Sequence, residues 1–234
     1  MATVYEKAVQ GEELSNDVGN RVIASRTSGG CLVAVKVKDR RIFRRSEADM
    51  MNYASHHTAG ILAPHVLGCY DVEPQLTTMV SDLVPGLPLD TVRHNMNPEQ
   101  QNSIKLQLKD QLRRFRECAQ TFIGRVNRQS IKNFFERTRF ASMGPWDSEK
   151  EFDDWCLSRV KSPLAQLRWK HRLSKLRRKE SSEFVLTHGD LAAHNIMVKD
   201  GQITEIIDCE YNGFFPKYMK YVCAMVIFEL NESW

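Results

Sequence analysis

None of the six cysteines forms a Cys-x-x-Cys pair. Cys31, Cys69, Cys118, Cys156, Cys209 and Cys223 stand singly, which argues against both a zinc site and a disulfide framework. Long apolar runs are lacking as well. Val222 to Phe228 is too short to span a bilayer, and the polar stretch from Met1 to Asn20 has no apolar core of a secretory leader. Internal repeats and low-complexity segments are absent. Neither sign of charge dominates, with 33 basic and 29 acidic residues giving a net charge of +4. A chain of 234 residues that is 42% hydrophobic can bury a substantial core in one globular unit. A reducing, cytoplasmic setting without a transmembrane segment is the expectation.

What is present is concentrated in Leu186-Thr187-His188-Gly189-Asp190-Leu191-Ala192-Ala193-His194-Asn195-Ile196-Met197-Val198, followed by Ile206-Ile207-Asp208. Ile196 to Val198 is apolar and strand-like. Asp200-Gly201 is a two-residue turn signal, because Gly accepts positive φ and Asp tolerates it. Gln202 to Ile207 reads as the returning strand, so the hairpin folds Asp208 back toward Asn195. Phosphoryl transfer from a nucleotide needs a carboxylate beside the attacking hydroxyl and oxygen ligands for magnesium. Asp190 suits the first role, orienting the hydroxyl or accepting its proton. Asn195 and Asp208 suit the second, since magnesium keeps several waters and needs few protein oxygens. His188, grouped with Asp190 in the catalytic loop, is expected to hydrogen-bond backbone and hold that loop. Alone, any one of these residues would read as a turn or cap; together with the hairpin they point to chemistry.

His-Gly-Asp-Leu-x-x-x-Asn followed by Ile-Ile-Asp resembles the aminoglycoside phosphotransferase and choline kinase superfamily. The tail Glu210-Tyr211-x-Gly213-Phe214-Phe215-Pro216-x-Tyr218 is similar to its fungal-type branch. The resemblance covers nearly the whole chain and is strongest from residue 184 to 224. Two positions depart from it: Ala193 stands where proline is frequent, and Cys209 where an aromatic is frequent. Neither supplies a reacting group, so altered loop stiffness and packing are the expected result. The resemblance implies an α+β, two-lobed, protein-kinase-like fold. A small antiparallel β lobe with one helix would span residues 1–83, and a larger, mainly helical lobe residues 84–234. It also implies ATP or GTP and magnesium as cofactors.

The upstream half carries matching signals. In Cys31 to Lys38, alternation puts Ala34, Lys36 and Lys38 on one strand face and Val33, Val35 and Val37 on the other. Val33-Ala34-Val35-Lys36 resembles the kinase strand whose lysine reaches the α- and β-phosphates. Lys36 is preferred and Lys38 is the fallback; an edge-strand lysine that discourages aggregation is the plainer alternative. Ser46 reads as an N-cap with Asp49 at the capping-box position, opening a helix with an apolar stripe of Met50, Tyr53 and Ala54. Glu47 resembles the glutamate that pairs with the strand lysine, or serves only the helix dipole. No Gly-x-Gly-x-x-Gly occurs, so Thr27-Ser28-Gly29-Gly30 is either a degenerate phosphate loop or an ordinary hairpin turn. Thr77 to Val84 reads as a strand ending at Pro85-Gly86. By resemblance, Ser81, Asp82 and Leu83 form the hinge that meets the purine edge.

Asn97-Pro98-Glu99-Gln100 starts a long helix, with Ile104, Leu108, Leu112, Phe115 and Phe122 expected on its core face. Ser148 and Glu151 cap a further helix. The aromatics Phe134, Phe135 and Trp146 are expected in the core rather than in an acceptor pocket. After Ser162-Pro163, the stretch from Arg168 to Lys179 holds seven Lys or Arg residues and no acid. It reads as a solvated helix face or as a patch for an anionic ligand; nucleic acid is the least favoured occupant because no aromatic-rich RNA-binding motif accompanies it. The functional expectation is a kinase-like enzyme that moves the γ-phosphoryl group to a hydroxyl of a small molecule. A protein kinase is disfavoured because Asp-Phe-Gly and Ala-Pro-Glu are missing and few residues follow Asp208. A nucleotide-binding pseudoenzyme is the alternative from another class. The lack of clustered carboxylates argues against efficient use of polycationic aminoglycosides.

Overall fold

The computed structural model describes residues 9–17, 20–73, 75–135, 141–177 and 183–228, with the side chains of 17 and 226–228 excepted. Arg178 and Lys179, the end of the basic stretch, lie outside the described residues.

Five antiparallel strands open the fold: β1 (Glu12–Asp17), β2 (Asn20–Arg26), β3 (Leu32–Asp39), β4 (Val66–Glu73) and β5 (Leu76–Asp82), in the order β1-β2-β3-β5-β4. β1 and β4 were not foreseen. β1 is polar and almost wholly exposed, and β4 is mostly exposed and carries two register shifts, so neither shows a clean period-two apolar face. β3 lies in the sheet interior, with Val35 opposite Ile23 and Val80. Its odd-numbered valines join Ile23 and Leu76 in one small core, which turns Lys36 and Lys38 to the other face.

The helix α1 (Arg45–His56) crosses that second face and packs against β4 and the turn at residues 209–211. Its expected cap is corrected. The helix begins two residues earlier, at Arg45, with Arg44 at the N-cap and no side-chain capping bond. The Ser46 hydroxyl instead accepts a hydrogen bond from Arg125 Nη1 at 2.7 Å, and Asp49 accepts from Gln129 at 2.9 Å. Tertiary donors have taken the groups that a local cap would use.

Short elements follow: β6 (Leu87–Pro88), α2 (Leu89–Val92), then the long helix α3 (Pro98–Glu117). α3 starts on a complete Asn97/Gln100 capping box, a device whose cap residue alone is worth about 1 kcal/mol. Ile104 and Phe115 are buried on its inner face. Phe122 is not part of that helix, which ends at Glu117; it reaches the core from the following segment. The connecting region contributes β7 (Ala119–Gln120), β8 (Ile131–Lys132) and β9 (Ser142–Met143). Phe134 is buried and Trp146 packs on the main core, whereas Phe135 is 40% exposed. The helices α4 (Glu149–Ser158) and α5 (Pro163–Leu176) are capped by Ser148 and Ser162, and α5 buries none of its residues.

The last third builds the scaffold of the site from β10 (Phe184–Thr187), β11 (Ile196–Lys199), β12 (Gln202–Ile206), β13 (Gly213–Phe215) and α6 (Met219–Phe228). β10 is fully buried between β13 and β7. β11 and β12 form the expected hairpin, with Asp200 at φ 51° and Gly201 at φ 75° in its turn. β6 pairs with β11, which ties the chain leaving β5 to this hairpin. The largest core gathers α1, α3, β10 and the hairpin around Met50, Phe115, Phe184 and Phe214. Among the described residues, no helix is long and apolar enough to cross a membrane.

Candidate active site

β3 aims Lys36 and Lys38 at the end of the hairpin. Lys36 Nζ lies 2.7 Å from Glu47 Oε1 and 2.8 Å from Asp208 Oδ1. Lys38 Nζ lies 3.5 Å from Glu47 Oε2 and 2.8 Å from Glu210 Oε2. The other Glu210 oxygen meets Lys132 Nζ of β8 at 2.8 Å. The result is an alternating ladder, Asp208–Lys36–Glu47–Lys38–Glu210–Lys132, of equal positive and negative charge. That balance matters because buried charges are costly unless each finds a partner. The side chains of Glu47 and Lys38 are only 3% and 2% exposed, while Asp208 at the ladder's end is 33% exposed. Burial works against the charge on Lys36, yet Asp208 and Glu47 hold its pKa well above the usual lysine value. Burial likewise opposes the charge on Asp208, but Lys36 and Lys38 hold its carboxyl well below the usual range.

Asp208 sits in the left-handed region at φ 62° and ψ 73°. For a residue with a Cβ this costs about 1–3 kcal/mol, and it persists only where the surroundings over-determine it. Three contacts do so here. The Ile207 amide donates to the Asn195 carbonyl at 2.9 Å, His188 Nε2–H donates to the Ile207 carbonyl at 2.9 Å, and Lys36 holds the carboxylate. Burial pushes the His188 imidazole below its ordinary pKa, so the neutral ring acts as a donor that braces the loop. Asn195 is 3% exposed, and its Nδ2 donates to the Asp190 carbonyl at 2.9 Å. With the nitrogen so used, the amide oxygen is the end available to a cation. Gly189 precedes Asp190 at φ 81°; a Cβ there would stand 2.4 Å from the Tyr211 carbonyl oxygen. Asp190 itself is partly exposed. Burial first, and the Asp190 charge second, push the Cys223 thiol on α6 up to about 12.

The remaining expected residues are placed as follows. Ser81 is buried and pairs with Ala34, and its hydroxyl meets the Asp82 carbonyl at 3.4 Å. The Asp82 amide donates to the His65 carbonyl at 3.0 Å and its carboxylate meets His65 Nδ1 at 3.0 Å, so both its donor and its charge are engaged on β4's flank. Leu83 follows, half-buried. The Thr27–Gly30 turn is exposed, and the Thr27 hydroxyl accepts from the Cys31 amide at 3.1 Å within the turn itself. Cys209 is buried with Phe43, Ala48, Met51 and Met79, where its small side chain fits beneath α1. Arg177, at the end of the basic stretch, is paired with Glu149 at 2.9 Å and Asp153 at 3.1 Å.

Residues that sequence reasoning missed are Lys132, Arg125 and the role of Glu210. Lys132 meets a carboxylate 78 positions away, and no local pattern marks it. Beside the His188–Asn195 loop lies a cavity of about 370 Å³ whose lining includes Leu108, Phe115, Leu191, Cys223, Arg116 and Lys220.

Solved structures with the same fold share little sequence. A thermostable mutant of aminoglycoside phosphotransferase APH(4)-Ia, in ternary complex with AMP-PNP and hygromycin B, aligns at TM-score 0.59 and 15% identity over 89% of this chain and 69% of that one. A putative fructosamine-3-kinase from Thermobifida fusca YX-ER1 aligns at TM-score 0.63 and 16% identity over 93% and 73%. The streptomycin–ATP–APH(2")-IIa ternary complex aligns at TM-score 0.53 and 14% identity over 94% and 73%. A search of curated proteins returns no match. These likenesses give the two-lobed, protein-kinase-like α+β fold. Residues 10–214 match the phosphotransferase enzyme family, and the chain belongs to that family.

Proposed function

We propose that this protein transfers the γ-phosphoryl group of ATP or GTP to a hydroxyl of a small molecule. The observation that carries the reading is the convergence of Lys36 on Glu47 and Asp208 beside the His188–Asn195 loop. A cation held between two carboxylates is the arrangement expected of a residue that receives phosphate oxygens. Asn195 and Asp208 would hold magnesium, and their donor set fits it: one ionised carboxylate and one amide oxygen, with room for waters and phosphates. When bound, the metal offsets the charge of the transferring phosphoryl group. Asp190 orients or deprotonates the acceptor hydroxyl. His188 holds the loop, and the strand end at Ser81, Asp82 and Leu83 presents backbone to the base; because the Asp82 amide is engaged, Leu83 is the donor we favour. Six free thiols accord with a reducing, cytoplasmic setting.

The cavity beside the catalytic loop supports a class of acceptor. Its volume falls within the range of about 300–1,000 Å³ common for small-molecule sites. Its walls are apolar, and its charged lining is Arg116, Lys217 and Lys220 against Asp90 alone. A neutral or anionic hydroxylated compound fits that lining; a polycation meets repulsion. The test is mass spectrometry after incubation with a nucleotide, magnesium and a panel of aminoglycosides, choline, neutral polyols and hydroxy acids. A gain of one phosphate on a neutral or anionic member is expected. Aminoglycoside turnover at kcat/KM near the ~10⁴ M⁻¹s⁻¹ floor of ordinary enzymes would overturn the acceptor class. Nucleotide binding without transfer to any acceptor, including a metabolite extract, would favour a regulatory binding module.

A further inference from the structure

Arg125 is fully buried, and among the described residues it has no carboxylate partner. Its guanidinium is used instead on four neutral oxygens from two elements. Nη1 donates to Ser46 Oγ at 2.7 Å, at the start of α1. Nε donates to the Asn212 carbonyl at 3.1 Å, and Nη2 to the carbonyls of Cys209, at 3.5 Å, and Glu210. Those three carbonyls belong to the turn that directly follows Asp208, and Ser46 directly precedes Glu47. One rigid plane therefore links the neighbour of the lysine-binding glutamate to the neighbours of the metal-site aspartate.

The residue that carries this plane is itself pinned. Gly124 exchanges backbone hydrogen bonds with Phe214 of β13 at 3.2 and 2.7 Å, and the Arg125 amide donates to the Gln129 carbonyl at 2.9 Å. The same segment touches α1 twice more, from Gln129 to Asp49 at 2.9 Å and from the Val126 amide to Met50 Sδ at 3.2 Å. A guanidinium presents its donors in a fixed fork, so it sets a separation that a flexible ammonium would not. Burial of so polar a group is costly unless its donors are satisfied.

We infer that Arg125 is a positioning residue: it bolts the first turn of α1 to the turn after Asp208, so that Glu47 and Asp208 stand at working distance from Lys36 before a nucleotide arrives. This rests on the reading of those three residues as the nucleotide-handling groups. It goes beyond that reading by assigning to the 124–129 segment the task of holding helix and metal turn in register.

Arg125→Lys tests the fork directly but could fail to fold. Ser46→Ala cuts only the helix end of the bolt, and Ser46→Thr restores the hydroxyl. Two readouts apply to the full chain: amide hydrogen exchange of the ligand-free protein at residues 45–50 and 209–213, and calorimetric affinity for magnesium-ADP. Loss of one hydrogen bond to a charged donor predicts about tenfold faster exchange in both segments and about tenfold weaker nucleotide binding for Ser46→Ala. Ser46→Thr should behave as wild type. In a Glu47→Gln background, Ser46→Ala should add no further loss of affinity. Faster exchange confined to α1, or a lowered Tm with both segments and the affinity unchanged, would overturn the inference. If the wild-type chain bound no nucleotide, the phosphotransferase reading would fall, and the exchange pattern would still decide the bolt.

Discussion

Replacing Lys36 with methionine separates what the ladder does for stability from what it does for nucleotide. Lys36 is the middle of three charged groups: its side chain is 12% exposed, Glu47 is 3% exposed and Asp208 is 33% exposed. Removing one partner of a buried pair costs about 3–5 kcal/mol, because a charge is left without compensation. A solvent-reachable pair is worth about 0–1 kcal/mol. The Glu47 contact belongs to the first class, softened because Lys38 remains 3.5 Å away, and the Asp208 contact to the second. The sum is about 3 kcal/mol. For a chain of this size that shifts Tm by about 6–12 °C downward. Glu47→Leu added to Lys36→Met removes the orphaned carboxylate, and should recover about half of that loss. Nucleotide affinity should not recover, since the cation proposed to receive the phosphates is still missing. The pH dependence has a definite sign. Asp208 has a depressed folded pKa, so its share of the stability is present above the ordinary carboxyl value and is lost as pH falls through the depressed one. The gap between wild type and Lys36→Met should therefore narrow in acid by that share alone, at most about 1 kcal/mol. Calorimetric melting across pH and titration with magnesium-ADP measure both quantities. A Tm change under about 2 °C, or full recovery of affinity in the double variant, would refute the reasoning.

Three further outcomes are expected. Asp190→Asn should cut turnover by about 10²–10⁴-fold with nucleotide affinity nearly unchanged, and wild-type-like turnover would remove Asp190 from its role. Asp208→Ala should abolish most of the magnesium dependence of nucleotide binding, read by calorimetry with and without the metal; an unaltered dependence would rule out the hairpin as the metal site. Burial pushes the Glu205 carboxyl up to about 7 and leaves its Oε2 without a partner. The raised pKa favours the folded state at low pH, and that contribution is lost as pH rises through 7. Glu205→Gln should therefore gain about 1–2 kcal/mol over wild type above neutrality, after discounting for partial solvent contact, and nothing near pH 4. A pH-independent difference would show that burial does not govern this group.

Local chemistry determined a good part of this protein before folding is considered. Asn97 and Gln100, Ser148 and Glu151, and Ser162-Pro163 start their helices because the bonds they make span three residues, and nothing distant has to intervene. Asp200-Gly201 turns the hairpin for the same reason: both residues tolerate positive φ. Alternation in β3 put the valines on the core face and Lys36 on the other. Where local and tertiary demands competed, the tertiary partner won. Ser46 lost its expected cap to Arg125, 79 positions away. β1 and β4 escaped notice because mostly exposed strands need no apolar alternation. The site is the clearest case of what sequence could suggest but not arrange. Lys36 and Asp208 are 172 positions apart, as are Lys38 and Glu210. Lys132 and Arg125 reach the same turn from a segment without a recognisable pattern. Residue types announced which chemistry was available. Which lysine meets which carboxylate was decided only by packing, because a buried charge is tolerated only where the fold delivers its partner.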